Sequence, residues 1–266
     1  STNLPHGPVD IPPEENTYAG SPAIRQAYGN ASGTNRECAG AAEEYASMVD
    51  KLDRQVGAIV DQVRKLGLDK RTIIIFSSDN GHELYYRTDK GRGRGPDCHG
   101  GVLDGTGELL DVFRGSRGRV GPNNAMANLA GLKWTSHEGG IRVPLIISWP
   151  GTLPHGKVCH SLVANYDHMA SFADLAGIRM PEGKDAVSYM DILSGNSSRQ
   201  RDYVVVDHTV ITGDGWKLTQ KQNKPYLFHI GRDPEERNNL AGTRKDQLEK
   251  LRAIYRKEVG SPRKDR

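Results

Sequence analysis

The sequence has few cysteines, little net charge and no long apolar run, and each of these absences narrows the choice of function. Three cysteines, Cys38, Cys98 and Cys159, are an odd count without metal-type spacing, which argues against a full disulfide framework. A net charge of +3 gives no reason to expect a nucleic-acid or membrane partner. No apolar run approaches transmembrane length, and no signal-peptide pattern opens the chain. A chain of 266 residues is long enough to bury a core.

One stretch combines a buried-strand pattern with oxygen-bearing side chains. Ile73 to Phe76 form an apolar run of the kind found in strands that helices cover on both faces of a parallel sheet. The run ends at Ser77–Gly81, where Asp79 and Asn80 would project from the carboxyl end of the strand, the usual place for a ligand in α/β sheets. Oxygen donors suit Ca²⁺ or Mg²⁺ rather than zinc. The simpler alternative is an Asx turn that closes the strand.

Two further side chains stand in segments of restricted or permissive backbone. His6 lies between Pro5 and Pro8, which stiffen the loop and could aim the imidazole. Lys133 precedes the pair Gly139 and Gly140, where the backbone can approach another segment closely. A lysine at this position could neutralise an anionic substrate. The alternative is that His6 is an exposed loop histidine without a role and that Lys133 is an ordinary loop lysine.

The rest of the sequence predicts scaffold helices and strands, one long loop and a small terminal sheet. Between His82 and Asn128 the sequence is rich in glycine and charge, and its arginines, Arg114 among them, could bind an anion or simply line a solvated surface. Four short strand patterns at close spacing predict an antiparallel sheet, and we place a domain boundary near Ser198, dividing 1–198 from 199–266. The predicted elements are helices at 37–66, 167–176, 189–193 and 244–257, and strands at 145–149, 203–206, 210–212, 216–218 and 226–230.

Taken in order, these segments resemble the carboxy-terminal half of the sulfatase family, within the alkaline-phosphatase-like superfamily. The resemblance rests on the strand leading into Asp79-Asn80-Gly81 and on Lys133 followed by Glu138-Gly-Gly-Ile-Arg-Val-Pro144. It continues through Asp167 to Gly177 and the closing Trp216-Lys-Leu218 and Asp233-Pro-Glu235. It implies a partial α/β/α sandwich followed by a small antiparallel sheet with a packing helix, and a periplasmic or secreted protein.

The resemblance also implies roles for individual residues in the hydrolysis of a sulfate ester. Asp79 and Asn80 match two ligands of the family's calcium, and Asn80 also matches a residue that reaches the sulfate. Lys133 matches the lysine that binds a sulfate oxygen, and His6 resembles the histidine that contacts sulfate or assists the leaving group. The remaining candidates, on the substrate side, are His82, His137 and Arg114.

The chain departs from the family pattern in its nucleophile and its first metal ligands. Sulfatases convert a cysteine or serine to formylglycine, but no cysteine here has an arginine four residues on, and no Asp-Asp pair occurs. Ser21-Pro-Ala-Ile-Arg25 fits the minimal motif, yet it follows His6, whereas the family's nucleophile precedes that loop. We therefore expect the formylglycine and the other metal ligands in a missing amino-terminal half. The chain alone should then hold Ca²⁺, or Mg²⁺, weakly and show no turnover.

Two other functions compete with a sulfatase acting on a sulfated carbohydrate or aryl sulfate. One is a phosphodiesterase or phosphonate hydrolase of the same superfamily, which would need a histidine beside the aspartate where Asn80 stands. The other is a non-catalytic fragment that binds sulfated glycans through its arginine-rich loop. The substrate itself cannot be named from the sequence.

Overall fold

The computed structural model places a long helix and several short helices and strands along the chain. It describes residues 2, 4–6, 11–27, 34–81, 129–130, 133, 135–195, 201–221 and 224–260. The helices are α1 Pro22–Ala27, α2 Thr34–Lys65, α3 Glu138–Ile141, α4 Asp167–Leu175, α5 Met190–Leu193 and α6 Lys245–Glu258. The strands are β1 Ile74–Ser77, β2 Leu145–Ser148, β3 Tyr203–Val206, β4 Thr209–Thr212, β5 Trp216–Lys221 and β6 Lys224–His229. No described helix is long and apolar enough to span a membrane.

The chain divides into two compact units that interleave along the sequence. The first comprises Ser1–Gly67 and Asn80–Val143, and the second Leu68–Asp79 and Pro144–Arg266. The sequence-based boundary near Ser198 falls on residues outside the described ranges, so it remains a prediction.

Helix α2 forms as predicted, but only its first half packs in a core. In the first unit, Tyr45 and Met48 of α2 pack with Ile24 of α1 and with Ile11. The apolar positions that recur at three- and four-residue spacing after Tyr45 are covered unevenly. Leu52, Val56 and Val63 are half-buried, whereas Val49 is 42%, Ile59 61% and Leu66 59% exposed. The 3.6-residue periodicity thus identified the helix correctly, and it indicated a covered face that the described residues of this unit cover only in part.

Strands β1 and β2 form a two-stranded sheet, and this corrects the expectation of a parallel sheet at this point. They run antiparallel, with Ile74 opposite Ser148 and Ser77 opposite Leu145. Strand β1 is half-buried along its length, and Ile146 of β2 is 61% exposed. An apolar run predicts that a strand is buried. It does not predict whether the strand pairs parallel or antiparallel, because that depends on the neighbouring segment, here β2.

The terminal sheet follows the predicted strands closely. Its order is β3-β4-β5-β6, and each neighbouring pair is antiparallel. Gly215, at a φ of 85°, ends the turn between β4 and β5, a conformation that favours glycine. Helix α6 covers one face, and the shared core includes Val210, Leu218, Leu227, Leu248 and Leu251.

A fully buried ion pair closes this terminal core. The Nζ of Lys217 on β5 donates to Oε1 of Glu236 at 3.0 Å, and both side chains are completely buried. Two buried charges are tolerated only when they compensate each other. Lys217 is the middle residue of the Trp216-Lys-Leu218 motif. The lysine of this motif therefore has a structural role, as one partner of the buried ion pair.

Candidate functional site

Within the first unit, the Asn80–Gly81 turn meets the Glu138-Gly-Gly140 segment by direct backbone contact. The Gly81 amide donates to the Gly140 carbonyl at 2.9 Å. A Cβ on Gly81 would lie 1.9 Å from the Gly139 carbonyl oxygen, closer than any real Cβ contact. Glycine is therefore required at position 81 because two backbones pass there without room for a side chain.

The Glu-Gly-Gly segment is itself fixed by a short helix and by the chain before it. The Gly139 amide donates to the Ala130 carbonyl at 2.6 Å, and Ala130 is 2% exposed. The carbonyl of His137 accepts the Gly140 amide at 2.9 Å as α3 begins. Glu138 is buried at 4% exposure, and its carboxylate lies 3.9 Å from the Arg142 guanidinium. The segment is thus a fixed platform beneath the Asn80–Gly81 turn.

His6 and Lys133, 127 positions apart, are brought into contact within the first unit. The Lys133 Nζ lies 2.7 Å from the His6 Nε2, which is hydrogen-bond distance. Leu4 packs against the core that contains Tyr45, and this anchors the segment that carries His6. The contact joins the two residues for which the family resemblance implies roles at a sulfate group.

Asp79 and Asn80 carry the oxygen donors expected of ligands for a hard cation. The Asn80 Nδ2 donates to its neighbour's carbonyl, that of Gly81, at 2.8 Å, which sets the plane of the amide. The Asp79 carboxylate accepts the Ser78 hydroxyl at 3.5 Å. Within the described residues, no cluster of three or more His, Cys, Asp or Glu side chains could hold a metal. The donor type fits Ca²⁺, but two residues fall short of the six to eight ligands that calcium takes.

The other sequence candidates contribute less to this geometry. His137 is half-buried at the residue before α3, and its backbone carbonyl is part of the platform. His82 and Arg114, and with them the loop 82–128, lie outside the described residues. The contact between Gly81 and Gly139 was missed from the sequence, although the glycines in both motifs were a usable signal for a close backbone approach.

The serine motif that resembles a nucleophile site is the start of a helix. The Ser21 hydroxyl accepts the Ile24 amide at 3.5 Å, beside the first turn of α1. Arg25 lies 2.8 Å from the buried Glu43, and hydrogen bonding to that carboxylate raises the pKa of Arg25. Glu43 also accepts the Gly20 amide at 2.9 Å. Both ends of the pattern therefore have structural partners.

Comparison with known proteins places this geometry in a family. Residues 1–178 match the family model described as Sulfatase, and residues 133–264 match the carboxy-terminal model of N-sulphoglucosamine sulphohydrolase. The N-acetylgalactosamine-6-sulfatase of Sus scrofa is 25% identical over 248 residues, covering 79% of this chain and 41% of that protein.

Solved structures share the fold. One, from work on the metabolism of multiple glycosaminoglycans by Bacteroides thetaiotaomicron, has a TM-score of 0.68 at 22% identity and covers 98% of this chain and 49% of that one. Another, BT4656 in complex with its substrate D-glucosamine-2-N,6-O-disulfate, has a TM-score of 0.59 at 18% identity and covers 90% of this chain and 46% of that one. The fold is thus the alkaline-phosphatase-like α/β type, and the chain spans less than half the length of these relatives.

Proposed function

Since the chain belongs to the sulfatase family, we propose that it forms the carboxy-terminal part of a sulfuric ester hydrolase. The observation that supports this most directly is the contact of Lys133 with His6 in the same unit as the packed Asn80-Gly81 and Glu138-Gly-Gly140 segments. Each residue is unremarkable alone, and together they supply a cation, an imidazole and an amide oxygen. That combination suits a sulfate group and its leaving oxygen.

In the proposed reaction, the chain's own residues bind and orient the sulfate. The Lys133 ammonium, with three donors, binds a non-bridging sulfate oxygen and offsets its charge. His6 lies beside Lys133 and supports departure of the alcohol. Asp79 and Asn80 would hold a calcium ion, which supplies Lewis-acid stabilisation of sulfate charge when bound. The formylglycine nucleophile and the remaining ligands are expected outside this chain.

We propose a sulfated carbohydrate as the substrate class, with aryl sulfates as the alternative esters. The Sus scrofa relative is an N-acetylgalactosamine-6-sulfatase, and BT4656 was solved with a disulfated glucosamine. Arg114 and its neighbours in loop 82–128 add positive charge in sequence, as an anionic sugar would require. His82 and His137 are the candidate contacts to the sugar.

The competing hydrolase function is disfavoured by a single position. A phosphodiesterase with two transition metals would call for a histidine beside Asp79, and Asn80 occupies that place. A fragment that only binds sulfated glycans would keep the arginine loop and need no contact between His6 and Lys133. That contact favours an enzyme.

The test compares two proteins on two substrate classes. The chain alone and the natural gene product, with any sequence encoded upstream of Ser1, are each given 4-nitrophenyl sulfate, a hexosamine 6-sulfate and a 4-nitrophenyl phosphodiester. We expect the gene product to release sulfate in the presence of Ca²⁺, and the chain alone to release none. Hydrolysis of the phosphodiester alone would establish the competing function, and binding of sulfated glycan without any hydrolysis would establish the binding fragment.

A further inference from the structure

We propose that Lys133 is a positioning residue for His6, holding the imidazole in the tautomer that carries its proton on Nδ1. The proposal concerns the Lys133–His6 pair in the protein without substrate. Its catalytic meaning rests on the proposed function, whereas its test does not.

The donor capacities of Lys133 and His6 determine which ring nitrogen of His6 carries the proton. A lysine ammonium has three donors and no acceptor, so at 2.7 Å from Nε2 it can only donate. The His6 Nε2 must then present its lone pair. A neutral imidazole has one N–H, and that proton is therefore on Nδ1. An imidazole protonated on both nitrogens has no lone pair at Nε2 and could not accept this hydrogen bond.

The Nδ1-protonated tautomer of His6 requires a partner that stabilises it. A neutral imidazole in water favours the proton on Nε2, so the Nδ1 form must be selected by a hydrogen bond. Both partners of this bond come from anchored segments. Leu4 packs against the core of the first unit, and the buried Ala130, three residues before Lys133, is bonded through its carbonyl to the Gly139 amide. The Lys133 ammonium is thereby held where it can select the tautomer.

The tautomer determines which ring nitrogen of His6 can donate a hydrogen bond at a sulfate ester. With its Nε2 lone pair accepting from Lys133, His6 carries its one ring proton on Nδ1, so Nδ1 is the nitrogen that can donate to the leaving oxygen. The Lys133 ammonium has three donors, so it can donate to a sulfate oxygen while it still donates to the His6 Nε2. Lys133 can thus hold the imidazole in one orientation beside the bound anion.

The experiment reads the tautomer directly by NMR of the chain with ¹⁵N-labelled histidine, at a pH where the imidazoles are neutral. The His6 ring signals are assigned by their loss in His6→Gln. The exposed His155 and His160 serve as internal references. We expect His6 to show an unprotonated Nε2 and a protonated Nδ1, while the references show mainly the Nε2-protonated form.

Two variants at position 133 separate positioning from a merely structural role. Lys133→Met keeps the length of the side chain and removes the donor, so the His6 population should shift to the Nε2-protonated form. Lys133→Arg retains a donor without an acceptor and should restore the Nδ1 form. A protonated Nε2 in the unaltered chain overturns the proposal even if a variant misfolds, and so does a tautomer that Lys133→Met leaves unchanged. Neither result depends on whether sulfate esters are hydrolysed.

Discussion

The two sheets of the second unit differ in how completely their apolar side chains are covered. In the four-stranded sheet, Leu218 and Leu227 are fully buried beneath α6, which follows the sheet in the sequence. In the β1–β2 sheet, Ile146 is 61% exposed and β1 is half-buried. Each sheet contains a strongly apolar strand, β1 in one and β3 in the other. The difference shows that an apolar strand becomes buried only where another segment of the protein packs against it.

The largest expected effect comes from unpairing the buried charges of the covered sheet. Replacing Lys217 by Met leaves the Glu236 carboxylate buried without its cation, and we expect a loss of about 3–5 kcal/mol of unfolding free energy. Urea unfolding followed by Trp216 fluorescence measures this, because Trp216 lies in the same core.

The matched control breaks an exposed ion pair. Arg179 and Glu182 lie 3.1 Å apart with side chains 87% and 90% exposed, so Arg179→Ala should cost less than about 1 kcal/mol. Equal losses for Lys217→Met and Arg179→Ala would contradict the interpretation that burial makes the Lys217 pair costly to break.

The second prediction tests the contrast between the sheets directly. Leu227→Ala removes a fully buried side chain and should cost about 2–5 kcal/mol, whereas Ile146→Ala, on the open sheet, should change stability by about 0.5 kcal/mol or less. Hydrogen exchange of the β1–β2 and β5–β6 amides, set beside urea unfolding, measures both. A cost for Ile146→Ala that approaches that of Leu227→Ala would mean that Ile146 is covered in solution.

The third prediction concerns the backbone contact in the first unit. Gly81→Ala places a methyl group on the Gly139 carbonyl and should cost about 1–3 kcal/mol, since the backbones must separate. Gly57→Ala on exposed helix α2 has open space and should stabilise by about 0.5–1 kcal/mol. Hydrogen exchange at the Gly81 and Gly139 amides reports the first change. Unaltered protection in Gly81→Ala would show that these segments are not packed as described.

Most helices and strands could be predicted from periodicity and turn residues, because those signals are local. The four strands of the terminal sheet and helix α6 fall within a few residues of their predicted positions. The partial cover of β1 and the exposed state of Val49 and Ile59 could not be predicted, since they depend on segments distant in sequence. The expectation of a parallel sheet at β1 was wrong for the same reason, since β1 pairs antiparallel with β2.

Residues for the candidate site could be proposed from the sequence, and their roles stay predictions, whereas the contacts between them could not be predicted. Family resemblance singled out His6 and Lys133 separately, and no sequence signal joins two positions 127 residues apart. The buried partner of Lys217 was also missed, although a lysine between Trp216 and Leu218 in an apolar strand was a hint. The roles of Asp79 and Asn80 as metal ligands remain a prediction.

The most direct test of the proposed sulfatase site is the turnover of a hexosamine 6-sulfate by the natural gene product and its Lys133→Ala variant. If Lys133 binds the sulfate as charge develops, kcat/KM should fall by about 10²–10³-fold, with the fold unchanged by circular dichroism. The exposed Lys157 gives the matched control, and Lys157→Ala should keep the parent rate. A Lys133→Ala variant as active as the parent would contradict the assignment of this site.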